Sequence, residues 1–138
     1  MLSHRAIVVH GIGHVRAALA PHQPVILLSA IGAALYAGVG WWMALVALGR
    51  AEFPDAVISD LLDCADAPGR AMEALRSGQQ HIRLDPGPAW ARVAAAAQTM
   101  GAKVHADRPP ALDLGAPNAL WHLNAWLSDE RDKAAKPR

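Results

Sequence analysis

Residues 24 to 49, PVILLSAIGAALYAGVGWWMALVALG, decide how the rest of the chain is read. From Ala17 to Gly49 there is no Asp, Glu, Lys or Arg. That is long enough to cross a bilayer, whose hydrocarbon core takes about 20 apolar residues. The stretch nevertheless divides. Val25-Ile26-Leu27-Leu28 is short and opens with β-branched residues, Ser29 and Gly32 interrupt, and a helix-compatible segment runs from Ala33 to Gly49. The division reads as strand, turn, helix. In a membrane helix Trp41 and Trp42 would sit mid-span, whereas Trp concentrates at the interfaces, and no cluster of Lys and Arg flanks either end. The opening MLSHRAIVVHGIGH is broken by His10, Gly11 and Gly13, so no cleaved signal peptide is expected.

Outward from this stretch, short apolar runs alternate with segments of helical period. Ala6 to Val9 reads as a strand ending at His10, and Ile12 to Ala20 as a helix closed by Pro21. Val57 to Asp63 is a strand, followed by a helix opened by Asp66-Ala67-Pro68-Gly69 and stopped near Gly78. His81 to Asp85 and Lys103 to Ala106 are further strands around a helix from Pro88 to Gly101. Arg108-Pro109-Pro110 reads as a stiff connection and Pro117 as the start of a terminal helix. A single domain is expected over 1–130, with a flexible tail over 131–138.

Strand and helix alternate about five times, the pattern of parallel strands joined by crossovers. The fold class is therefore α/β: a three-layer, open, mostly parallel sheet of about five strands, flavodoxin-like or Rossmann-like. Val25 to Leu28 shows no alternation, as expected of an interior strand covered on both faces. Asp60 favours an edge position for 57–63, since an interior strand would have to shelter its charge. The blocks LLSAIGAALYAGVGWW, DCADAPGRAMEALRSGQ and RPPALDL resemble a family of small uncharacterised bacterial α/β proteins. The resemblance implies a single α/β domain and, the family having no assigned reaction, no catalytic residue.

Composition narrows the function classes. The formal net charge is +1, with acidic and basic residues interspersed, so no nucleic-acid footprint is present. Cys64 is the single cysteine, which excludes an internal disulfide and is compatible with a cytoplasmic setting. No nucleotide fingerprint surrounds Gly32, Gly38 and Gly40, and no cofactor is implied. His10-Gly-Ile-Gly-His14 resembles the His-Gly segment near the oxyanion hole of α/β-hydrolases, but no G-x-S-x-G elbow accompanies it. His10 and His14 read as loop or helix-cap histidines and no metal site is expected.

In an open α/β sheet, chemistry belongs in the loops outside the carboxyl ends of the strands. Those loops hold Ser29, Gly32, Asp63, Cys64, Asp66, Asp85, His105 and Arg108, with His10 a further base. Asp66 and Asp85 are expected to cap the helices that follow them. Cys64 reads as a small buried hydrophobe, because Asp63 and Asp66 disfavour a thiolate.

The helix expected at 33–49 has no polar face. Leu35, Val39, Trp42 and Val46 form one side, Trp41, Leu45 and Leu48 another, and Ala37, Gly40, Ala44 and Ala47 a strip of small residues, with Gly38 and Gly40 expected to permit close packing. Its second cover must be the terminal helix with Trp121 and Trp126, another subunit or a membrane. The favoured reading is a binding or assembly module that forms a homodimer through 33–49. The alternative is an enzyme acting on a small anionic substrate at the carboxyl-end rim. A membrane-associated protein using residues 24–49 is a further alternative.

Overall fold

Val25–Leu28 is buried at all four positions and forms strand β2 of a parallel sheet. The computed structural model describes residues 2–135, with side chains through Ser128. The other strands are β1 (Ala6–Val8), β3 (Ile58–Asp63), β4 (His81–Arg83), β5 (Lys103–His105) and β6 (Ala111–Asp113). The helices are α1 (Ile12–Leu19), α2 (Ala33–Tyr36), α3 (Val39–Glu52), α4 (Pro68–Arg76), α5 (Trp90–Thr99) and α6 (Ala119–Ala135). All six strands join one open parallel sheet in the order β5-β4-β3-β2-β1-β6. From β1 four strands are added in one direction, and only β6 returns to its other side. Parallel crossovers are right-handed. Successive crossovers in one direction therefore put their helices on one face.

The buried residues divide accordingly. Residues of all six helices share one cluster with Ile7, Val9, Val25, Leu27, Leu62 and Ile82 of the sheet. The alternate residues Ala6, Val8, Ile26, Leu28 and Leu61 form a second cluster, against which Leu2 and Ala111 pack. The three layers are thus helices, sheet and a thin non-helical cover that includes residue 2 and the connection leading into β6. The sixth strand, β6, is additional to the five expected. Ala111-Leu112-Asp113 is too short to show a period and acquires strand geometry from pairing with Ala6 to Val8.

Three expectations are corrected. The helix over 33–49 is two helices: the amides of Ala37 and Gly38 both donate to Ala33 O, and Gly38, at φ 98°, turns the chain before α3. A Cβ on Gly38 or Gly40 would meet nothing within 4 Å, so neither makes a close contact within this chain; Gly49 does, since its Cβ would lie 2.7 Å from Val15 Cγ1 of α1. The strand at 57–63 is interior, between β2 and β4, not an edge. Asp60 is tolerated there because its Oδ2 accepts from Trp42 Nε1 (2.9 Å) and Gln79 Nε2 (2.7 Å), and its Oδ1 from Arg50 (3.2 Å). Its charge is paired and hydrogen-bonded.

α6 lies against β6 and β1, not over α3. Leu123 and Leu127 enter the helix-side core, and Trp126 Nε1 donates to Ala6 O at 2.9 Å. Trp121 is 82% exposed. Backbone helix continues to Ala135, into the segment expected to be a flexible tail, and residues 136–138 lie outside the described residues.

Candidate functional site at the carboxyl-end rim

β3 ends in Asp63, whose side chain is completely buried. A carboxylate so placed must be matched by donors and a cation. Oδ1 accepts from the amides of Gly32 (3.1 Å) and Ala65 (2.8 Å), and Oδ2 from Arg108 at 2.8 Å. The first bond joins the β3 terminus to the turn after β2, where Gly32 sits at φ 71°. The third joins it to the segment between β5 and β6. Ser29 completes the knot: its Oγ donates to Ala30 O (3.0 Å) and accepts from the Asp63 amide (2.9 Å), while its carbonyl accepts from Arg108 (3.0 Å). Ser29, Gly32, Asp63 and Arg108, named separately from the sequence, are one connected network.

The next layer is also internally matched. Arg83 Nε donates to Ala106 O at 3.0 Å, and its guanidinium pairs with Asp85 and lies 3.9 Å from Asp63 Oδ1. Asp85 therefore serves Arg83 instead of capping a helix, and Asp66 is exposed. The N-caps of α4 and α5 are Ala67 and Ala89, whose methyl groups accept no hydrogen bond, and Pro at the start of α4 removes one donor that a cap would otherwise serve. The expected capping roles of both aspartates are corrected on this geometry. A cavity of about 360 Å³ lies between the loops that follow β3 and β4, lined by Asp66, Pro68, Leu84, Asp85 and Trp90 among others.

Cys64 faces the opposite way. It belongs to the helix-side core, fully buried, with Sγ 4.0 Å from Leu62 O. Burial, then the negative charges of Asp63 and Glu73, push its thiol up to about 12. It packs as a hydrophobe and supplies no thiolate near neutral pH. His105 does not meet it: His105 Nε2 lies 2.9 Å from His81 Nδ1 on the adjacent strand. Burial lowers the pKa of both rings; His105 falls to about 4, with His81 and Lys103 adding to the effect. Ser29, Cys64 and His105 are thus each held by other partners.

Sequence reasoning missed a second cluster, at the ends of β1 and β6 where the strand order reverses. His10 Nε2 lies 2.6 Å from Asp113 Oδ1, which also accepts from the Gly115 amide at 2.8 Å. The His10 amide donates to His14 Nδ1 at 3.0 Å, so His14, in the first turn of α1, reaches back over the helix start. Burial raises the Asp113 pKa, but bonds from His10 and Gly115 and the charges of both histidines outweigh it and leave the group below the usual range. His14 is lowered by burial and by His10. His10 was flagged from the sequence; its partner could be found only once 111–113 is known to pair with β1. Among the described residues no cluster of three or more His, Cys, Asp or Glu is placed to hold a metal ion, and no helix is long and apolar enough to cross a membrane.

The fold and rim together define an open parallel α/β domain whose polar rim is largely cross-linked to itself. Compared with known families and with characterised proteins, the chain matches no family model and no curated sequence.

Proposed function

We propose that this chain is a small binding or assembly module that self-associates as a homodimer through the outer face of α3. The observation that carries the reading is that Gly40, Trp41, Ala44, Ala47 and Leu48, which recur at the three- and four-residue spacing of one helix face, are all exposed while Val39, Trp42, Leu45, Val46 and Gly49 face the core. Leu35 and Tyr36 of α2 and Ile31 before it extend the exposed apolar surface. The outer side of α6 differs, because exposed Leu120 and Trp121 are interleaved with His122 and Asn124. Single exposed apolar residues are ordinary; a continuous patch points to a partner. The small side chains at 40, 44 and 47 favour close approach of a second copy of the same helix across a twofold axis.

The reading includes a cytoplasmic setting, suggested by the lone buried thiol, and membership among small bacterial α/β proteins, suggested by the sequence blocks quoted above. The alternative, an enzyme for a small anionic substrate at the rim, has less support: Ser29, Asp63 and Arg108 spend their polar groups on one another. Sedimentation of the full chain over micromolar concentrations tests the proposal. A concentration-dependent dimer is expected, and a monomer throughout would refute it.

A further inference from the structure

The helix-free face of the sheet carries a second, independent feature. Leu62, Ile82 and Val104 pack into the helix-side core, so their neighbours Leu61, His81, Arg83, Lys103 and His105 point to the opposite face. That face is apolar over β1 and β2 and basic over β4 and β5. Between the two lies a cavity of about 340 Å³, with Leu2, Pro109 and Pro110 on its apolar side, the fully buried Leu61 beneath them, and Lys103, His105 and Arg108 on its polar side. This is the lower end of the volume range of small-molecule sites.

We propose that this cavity binds a small monocarboxylic acid, with the carboxylate on Lys103 and the apolar tail against Leu2, Pro109 and Pro110. The Lys103 ammonium has no hydrogen-bond or ion-pair partner among the described residues, whereas the Arg108 guanidinium is already matched by Asp63 and Ser29 O. His105 Nε2 is occupied by His81, which leaves Nδ1 as its other polar atom. When the His81 ring donates across that bond, neutral His105 carries its proton on Nδ1 and is a second donor. Asp107, exposed and also lining the cavity, opposes a second negative charge. One uncompensated cation beside an apolar wall selects a singly charged amphiphile over a phosphate. The cavity lies across the sheet from α3, so its occupancy is separable from self-association.

The test is an amide chemical-shift titration of the ¹⁵N-labelled full chain near neutral pH with hexanoate, and with hexanol and hexylamine as its uncharged and cationic counterparts. Saturable shifts at Leu61, Val104, His105 and Arg108 are expected with hexanoate, and K103Q should weaken it about tenfold, the scale of one lost hydrogen bond to a charged group. Because Lys103 is exposed, that variant should keep the wild-type spectrum elsewhere. K103R should restore most of the affinity. Equal affinity for hexanol, unchanged hexanoate binding by K103Q, or no saturable shift up to tens of millimolar would overturn the proposal.

Discussion

Asp63 shows how much of this molecule rests on one side chain. It binds the turn after β2, the loop after β3 and the segment leading to β6, so replacing it disturbs three chain segments together. Asp63→Asn keeps the shape but removes the charge opposite Arg108 and one of the acceptor sites, and should cost about 3 kcal/mol, the scale of a broken buried ion pair. Urea unfolding measures it; a loss below about 0.5 kcal/mol would mean that the network is incidental. Next to it, Cys64 should resist labelling by a disulfide reagent in the native protein at mildly alkaline pH and react at once in denaturant, because its thiol is pushed up to about 12. His81 and His105 set a pH dependence. Both bind protons more weakly folded than unfolded, so between the ordinary 6.5 and about 4 the unfolded chain takes up more protons. Their contribution is therefore fully present above 6.5 and is lost as the pH falls towards about 4. The stability difference between wild type and His105→Gln should narrow on acidification through that window; a constant difference would show that the pair does not titrate as described.

At the scale of elements, the legible parts of the fold are those whose neighbours in sequence are also their neighbours in space. Val25–Leu28 announces an interior strand by apolarity alone, and α4 is bounded by Pro68 and a stop near Gly78 that the sequence displays. β6 was illegible because nothing in Ala111–Asp113 distinguishes it from a loop until β1 is beside it. Asp60 misled for a related reason: Trp42, Arg50 and Gln79, which neutralise it, lie on α3 and beyond α4. The rim followed the same division. Its residues could be named from strand ends, but whether they face a ligand or one another depends on the crossing segment that brings in Arg108. Glycine roles were likewise exchanged between positions, since Gly38 breaks the helix and Gly49 makes the contact. Gly49→Ala should destabilise the fold by about 1–3 kcal/mol, as Val15 and Leu19 must move to admit the methyl group. A neutral Gly49→Ala in thermal unfolding would show that α1 and α3 can separate freely.

For the whole molecule, the sheet order leaves two unlike surfaces. Helices occupy one side of the sheet, and α3 lies among them with its core face spent and an apolar outer face remaining. Its 14 residues span about 21 Å. In the proposed homodimer a helix of that length falls short of the roughly 800 Å² per partner of a standard interface, and the exposed Ile31, Leu35 and Tyr36 would join the contact. The driving force is adequate, since each large apolar side chain moved fully from water contributes about 1.5–3 kcal/mol, but Trp41 is already partly covered and must gain less than that. Ala44 lies near the middle of the face and is exposed, so Ala44→Glu should leave the monomer fold intact while placing two carboxylates close together across a twofold axis. The dimer should dissociate at concentrations where wild type is associated, and raising the salt should recover only part of the loss, because desolvation of each carboxylate persists when repulsion is screened. Ala95→Glu on the exposed side of α5 serves as the control and should sediment as wild type. Equal dissociation in the two variants would mean that added charge, not the α3 surface, governs assembly, and dimers surviving Ala44→Glu would place the contact elsewhere.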